Sequence, residues 1–159
     1  MLLNKDGSNS KNLSTIIHDT EDFTLHNDQI LPLDYWLKNK AEIKQKLNRI
    51  VIWVNSDEDL DSLKEDLPSI SLIAFNFPKY GDGRAFSMAH LLRGKYEYKG
   101  HIRAIGSPIA DQAQFLFRCG VDSIDIPNGQ SLEIWTTESK RMSRFYQRSE
   151  QNDLIHSRY

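Results

Sequence analysis

Cysteine is nearly missing from this 159-residue chain, which holds one, Cys119. A single thiol excludes an internal disulfide, a Cys-x-x-Cys redox pair and any multi-cysteine zinc or iron–sulfur site. Long apolar runs are missing too. Val51-Ile52-Trp53-Val54 and Leu72-Ile73-Ala74-Phe75 are strand-sized, far short of the roughly 18 residues that cross a bilayer. The opening Met1-Leu2-Leu3-Asn4-Lys5-Asp6-Gly7-Ser8-Asn9-Ser10 carries no apolar signal-peptide core, so a reducing cytoplasm is the expected location. Neither sign of charge dominates: 20 Lys and Arg stand against 22 Asp and Glu, for a net charge of −2. That balance speaks against a general nucleic-acid or membrane-surface binder, which needs a basic excess. The five histidines show no H-E-x-x-H spacing, so no metal site is expected. No G-x-G-x-x-G follows a strand and no G-x-x-x-x-G-K occurs, so neither a dinucleotide site nor a P-loop is readable and no cofactor is expected.

What is present reads as one α/β unit. Residues 1–29 are polar and aperiodic, expected as a loose N-terminal tail with at most a small strand at Thr15-Ile16-Ile17. Residues 30–150 form the single expected domain, and residues 151–159 an expected frayed C-terminus. Asp34 is placed to cap a first helix carrying Trp36, Ile43 and Leu47 on one face. Ile50–Val54 is a buried-looking strand. Ser56 and Asp59 approximate a capping box before a helix with Leu60, Leu63 and Leu67, ended by Pro68. The alternation continues with a strand at Leu72–Phe77 and a helix from Ser87 to Tyr96. A strand at His101–Ile105 leads to a helix from Ala110 to Cys119, closed by Gly120. A strand at Val121–Ile126 precedes a long helix from Ser131 to Arg148. Four βα units with near-continuous apolar strands predict a parallel sheet covered by helices. It is either half-(βα)8-barrel-like or open and doubly wound.

In both architectures ligands gather at the carboxyl ends of the strands. The loop after Phe77 brings Lys79, Asp82 and Arg84 around two glycines, Gly81 and Gly83. It leads to Ser87 at the expected helix start, a composition suited to a small oxyanion. Arg103, inside a strand, needs a partner because an unpaired buried charge is costly. The candidates are Asp82, Asp111, Asp125 or an external anion. Asp111 and Gln112 open the following helix, where Asp111 complements the dipole and orients Arg103. The expectation is a ligand-binding set of Lys79, Asp82, Arg84, Ser87, Arg103, Asp111 and Gln112, with Arg84 and Arg103 converging on one rim. Cys119, at a helix C-terminus, reads as a packing residue. Lys140, Arg141, Arg144 and Arg148 read as a solvated face or a docking surface.

Several stretches together resemble a bacterial family of unknown function, often labelled as oxidoreductases of sulfite reduction, whose genes neighbour those for assimilatory sulfite reductase. They are Ile30-Leu31-Pro32-Leu33-Asp34-Tyr35-Trp36-Leu37, Leu72 through Ser87, Leu91-Leu92-Arg93, Gly100 through Gly106, Asp111-Gln112 and Arg118-Cys119-Gly120-Val121-Asp122. The match spans about residues 30–126. The family's Gly-Asp-Val-Leu-Arg-Asp-Gln is here Gly106-Ser107-Pro108-Ile109-Ala110-Asp111-Gln112, without one acid and one arginine. Its Gly-Tyr-Ser is Ala85-Phe86-Ser87. The resemblance implies a role in sulfur assimilation. Electrons need a carrier and the chain shows no motif for one. The first expectation is therefore an accessory protein of assimilatory sulfite reduction that binds a small anion. The alternatives are a non-catalytic adaptor docking on sulfite reductase or its electron donor, and a small half-barrel enzyme acting on an anionic substrate.

Overall fold

The computed structural model describes residues 1–20, 23–78 and 82–142. Eight strands form one sheet: β1 (Leu2–Asn4), β2 (Asn9–Ser10), β3 (Thr15–Ile16), β4 (Gln29–Pro32), β5 (Ile50–Val54), β6 (Ile70–Phe77), β7 (His101–Gly106) and β8 (Ser123–Asp125). Four α-helices accompany them: α1 (Leu33–Lys46), α2 (Arg84–Gly94), α3 (Ala113–Arg118) and α4 (Leu132–Ser139). The strand order is β2-β1-β8-β7-β6-β5-β4-β3. Strands β3 to β8 run parallel, each beside its predecessor in the chain, while β1 pairs antiparallel with both β8 and β2. The sheet is therefore mixed, not purely parallel.

The order of the parallel strands decides which face the helices take. A doubly wound sheet reverses its strand order and places helices on both faces. Here the order never reverses, so crossovers of one hand put every helix on one side. The packing agrees. Trp36 and Ile43 of α1, Met88 and Leu92 of α2, Leu116 of α3 and Trp135 of α4 share one core with Leu31, Ile52, Ile73, Phe75, Ile102 and Ile124 of the strands. The opposite face carries a smaller cluster of Ile30, Val51, Leu72, Ala74 and Ile105, with no helical residue in it.

The sheet is also curled into a half-barrel. Eight flat strands span about 34 Å from edge to edge at ~4.8 Å spacing. Yet the edge strands β2 and β3 are consecutive in the chain, joined by residues 11–14, which extend at most about 18 Å. The edges must approach each other. The 11–14 segment crosses the helix-free face, which is thus the concave one.

Three expectations need correction. The first twenty residues are not a loose tail: besides the small strand allowed for at Thr15-Ile16-Ile17, which is β3, they supply β1 and β2, and Leu3 is fully buried against the helical core. Strands of two and three residues leave too little pattern to read. The stretch after β5 is not a helix but two 3-10 turns, Leu60–Leu63 and Leu67–Ser69. Asp59 Oδ1 accepts from the Asp61 N–H at 2.9 Å and starts the first of them, while Ser56, the expected cap, is drawn to another carboxylate. Asp34 does not cap α1, whose first flanking residue is Pro32; it lies in the first turn, 3.6 Å from Lys38. The closing helix is described from Leu132 to Ser139. Its expected continuation through Arg144 and Arg148, and the 151–159 terminus, lie outside the described residues.

Candidate functional site

The carboxyl-end rim holds an ion pair with its charge already balanced. Helix α2 starts at Arg84, three residues earlier than expected, and the Asp82 carboxylate sits just ahead of it. Asp82 Oδ1 accepts from the Arg84 N–H at 3.2 Å and from Nε at 3.0 Å. Its Oδ2 accepts from Arg84 Nη2 at 2.8 Å and from Ser56 Oγ at 2.5 Å. The forked arginine, and next the Ser56 hydroxyl, hold the Asp82 carboxyl well below the usual carboxylate range. Asp82 is buried while the Arg84 side chain is 62% exposed. A bidentate pair of this kind is a strong local tie, but it leaves no net charge for an anion.

Other polar groups line this rim. Asn76 Nδ2 donates to Asn55 Oδ1 at 2.9 Å. Gly106 has φ +89, and a Cβ there would stand 2.4 Å from Asn76 Oδ1 and 2.7 Å from the Phe77 carbonyl oxygen, so β6 and β7 close tightly only around a glycine. Burial pushes the Glu58 carboxyl up from its ordinary value, against the lowering effect of the Asn55 N–H that it accepts.

The predicted ligand set is not brought together. Ser87 is exposed in the first turn of α2, and Asp111 is exposed in the 3-10 turn Ala110–Gln112. Neither of them, nor Gln112, makes a side-chain hydrogen bond or ion pair with a described residue. Asp111 therefore does not orient Arg103. Lys79 lies outside the described residues. Arg84 and Arg103 do not converge. Arg84 belongs to a helix on the convex side, whereas Arg103 alternates with the core residues Ile102 and Ala104 and so points to the concave side.

Arg103 is the unusual residue of that concave face. It is 7% exposed, yet no described carboxylate lies within ion-pair distance of it. Its Nε donates to Ser123 Oγ at 3.3 Å, and its Nη1 donates to Asn12 Oδ1 and Ser14 Oγ, both at 3.4 Å. All three contacts are longer than ordinary N–H···O bonds. Asp125 is reached only through Asn12, whose Nδ2 donates to Asp125 Oδ2 at 2.7 Å. Burial pulls the guanidinium below the ordinary arginine range; Asp125 opposes this and Arg49 adds to it. An arginine stays charged in a protein regardless. Of the expected partners for Arg103, Asp82 and Asp111 are thus absent and Asp125 acts at a distance.

Beside it, His101 Nε2 lies 2.7 Å from the same Ser123 Oγ. Ser123 is fully buried. Because a guanidinium only donates, Ser123 Oγ accepts from Arg103 and its own proton is free to go to His101 Nε2. That assignment puts the ring proton on Nδ1.

Sequence reasoning missed a second arginine, Arg93, for which the only signal was its recurrence in the family pattern. Its Nε donates to the Gly120 carbonyl at 3.0 Å and its Nη1 to the Tyr98 and Gly100 carbonyls at 2.6 and 2.8 Å. Its Nη2 meets Asp122 Oδ2 at 2.5 Å. The same oxygen accepts from the Ile102 N–H. Gly120, at φ +100, leaves room for this: a Cβ would stand 2.5 Å from Arg93 Cγ. The clasp ties the end of α2 to the starts of β7 and β8. At that amino-end face of a barrel-like sheet, such residues hold the fold together. Cys119 is buried, and burial pushes its thiol up to about 11.

The fold and these sites define a curled, one-sided α/β protein with a buried arginine on its concave face. The chain belongs to a family described as bacterial protein of unknown function (DUF934), whose sequence profile matches residues 51–155. The Arg93 clasp, Arg103, His101 and Ser123 fall inside that match; Asn12 and Ser14 precede it. No curated protein and no solved structure matches the chain. Among the described residues no helix is long and apolar enough to cross a membrane, and no group of three or more His, Cys, Asp or Glu side chains could hold a metal ion.

Proposed function

We propose that this protein is an accessory factor of assimilatory sulfite reduction that binds a small oxyanion at Arg103, inside the curl of the sheet rather than on its rim. The observation that carries the anion site is a guanidinium 7% exposed with three long, neutral hydrogen-bond partners and no carboxylate of a described residue within ion-pair distance. A buried charge left in that state is costly, and an incoming anion supplies the missing counter-charge and shorter, charge-assisted bonds. Sulfite, sulfate and phosphate all present oxygens that match the fork. The sulfur context comes from the family resemblance, with sulfite reductase or its electron donor as the natural partner.

Calorimetric titration of the full chain with sulfite, sulfate and phosphate tests the reading. Binding of at least one of them is expected, weakened tenfold or more in Arg103→Met and partly retained in Arg103→Lys. A thermal melt of each variant reports whether it is folded. Absence of binding to all three anions, or unchanged affinity in a folded Arg103→Met variant, overturns the site.

A further inference from the structure

Resting on that reading, we propose that His101 is a second, proton-dependent ligand of the same anion. The site would then prefer a dianionic oxyanion and take up one proton from solvent when it binds. His101 and Arg103 are two residues apart on β7, so their side chains leave the same face of the sheet. Both reach one oxygen, Ser123 Oγ, at 2.7 and 3.3 Å. An anion near the Arg103 fork is therefore within the neighbourhood of the imidazole edge.

The charges around the ring set the direction of the coupling. Arg103 faces it from its own strand, Arg49 from the chain just before β5, Arg93 from α2, and Asp122 from the chain just before β8. Asp122 Oδ2 is 4.0 Å from His101 Nδ1 but is already held by Arg93 Nη2 and the Ile102 N–H. Burial, joined by the three arginines, outweighs Asp122 and keeps the ring's affinity for a proton below the ordinary histidine value. In the free protein the imidazole is thus neutral near pH 7 and accepts the Ser123 proton. Two negative charges at Arg103 reverse the local field. The ring then gains a proton on Nε2, which it donates to the anion while the Ser123 hydroxyl turns aside. A monoanion already balanced by Arg103 has less to gain from a protonated ring, which is the basis of the preference for a dianion.

Linkage fixes the sign. The ring's proton affinity is higher in the complex than in the free protein. Anion affinity is therefore flat at alkaline pH and rises as pH falls below the pKa of the bound form. It levels off again below the pKa of the free form. Sulfate is the useful probe, since it stays a dianion from pH 5.5 to 8.5 and carries no titration of its own there. Sulfate affinity is expected to climb by up to about tenfold per pH unit within the sloping window. Calorimetry in buffers of different ionisation enthalpy should register proton uptake.

His101→Asn should bind with the weak alkaline affinity at every pH, and Arg103→Met should not bind at any pH. If His101→Asn does not fold, the C2–H resonance of His101 in the wild-type protein, titrated with and without sulfate, gives the same answer through an upward shift of its midpoint. Sulfate binding with a flat pH profile and no proton uptake overturns the role of His101 and leaves the Arg103 site standing. A wild-type pH profile in His101→Asn does the same. No binding of sulfate, sulfite or phosphate to the wild-type chain overturns both.

Discussion

Replacing Arg103 by methionine should make the protein more stable while removing its anion binding. Met has a similar length and no charge. The three hydrogen bonds lost are 3.3, 3.4 and 3.4 Å long, and at such lengths they contribute together about 1 kcal/mol. The acceptors they leave are not all stranded. Asn12 Oδ1 still accepts from the Ser14 N–H at 3.1 Å, and Ser123 Oγ still meets His101. Against this loss stands the release of a charge from a site that is 7% exposed, a penalty of several kcal/mol for a fully buried ion and about 2–3 kcal/mol once partial solvation is allowed for. The net expectation is a gain of about 1–2 kcal/mol, or a melting temperature raised by about 2–8 °C for a chain of this size. Thermal melts in a chloride buffer free of oxyanions, read by circular dichroism, decide it. A variant that melts several degrees lower shows that Arg103 is a satisfied structural residue, and the reasoning from its missing counter-charge fails. Saturating sulfate should also narrow the gap by stabilising only the wild type.

Arg93→Ala is expected to do the opposite, lowering stability by about 3–5 kcal/mol in urea unfolding, because its side chain is 14% exposed and its loss takes the ion-pair partner from Asp122, which keeps the Ile102 N–H, and the donor from three carbonyls; a loss below about 1 kcal/mol would contradict the clasp. Asp82→Asn should cost stability at neutral pH. Since the Asp82 carboxyl is held below its unfolded value, that contribution is complete above about pH 4 and disappears as pH falls through the lower folded value. Paired urea titrations should therefore show the variant and wild type drawing together in acid, and a gap that widens there would refute the assignment. Cys119 should resist iodoacetamide at pH 8 in the folded protein by at least about a hundredfold relative to the urea-unfolded chain, because its thiol is buried and pushed up to about 11; equal labelling rates would exclude a packing role.

The parts of the fold that could be read from residues were those with long, uniform signals. Ile50–Val54 and the Leu72–Phe77 run are strands because all positions but the half-buried Trp53 and Asn76 are buried on one face or the other, and Gly120 stops α3 through its positive φ as expected. The parts that were lost depend on distant partners. Ser56 looks like a helix cap locally, but its hydroxyl is claimed by Asp82, 26 residues away. Leu2–Asn4 has only the two-residue strand Asn9–Ser10 as a local partner, and joins the main sheet through the distant Ser123–Asp125. The candidate site divides in the same way. The Asp82–Arg84 tie is written in a two-residue spacing and was open to reading. That Arg103 faces away from it follows from strand parity, which the sequence supplies only once the helices are known to occupy a single face. Arg93 was hidden for another reason: most of its acceptors are main-chain carbonyls, and these carry no side-chain signature.

The pairing of Leu3 with Ile124 has a consequence for how the molecule is made. During synthesis the strand β1 leaves the ribosome long before the strand it must join, by about 6–24 s at ordinary elongation rates. In that interval the parallel strands can build outward from β4 to β7, each against a neighbour already present. The opening segment meanwhile has its short β2 partner but lacks β8. It precedes its β8 partner by more than a hundred residues, so the crossing over Arg103 by residues 11–14 should form late. In refolding experiments, quenching of Trp53 should precede protection of the Leu3 amide.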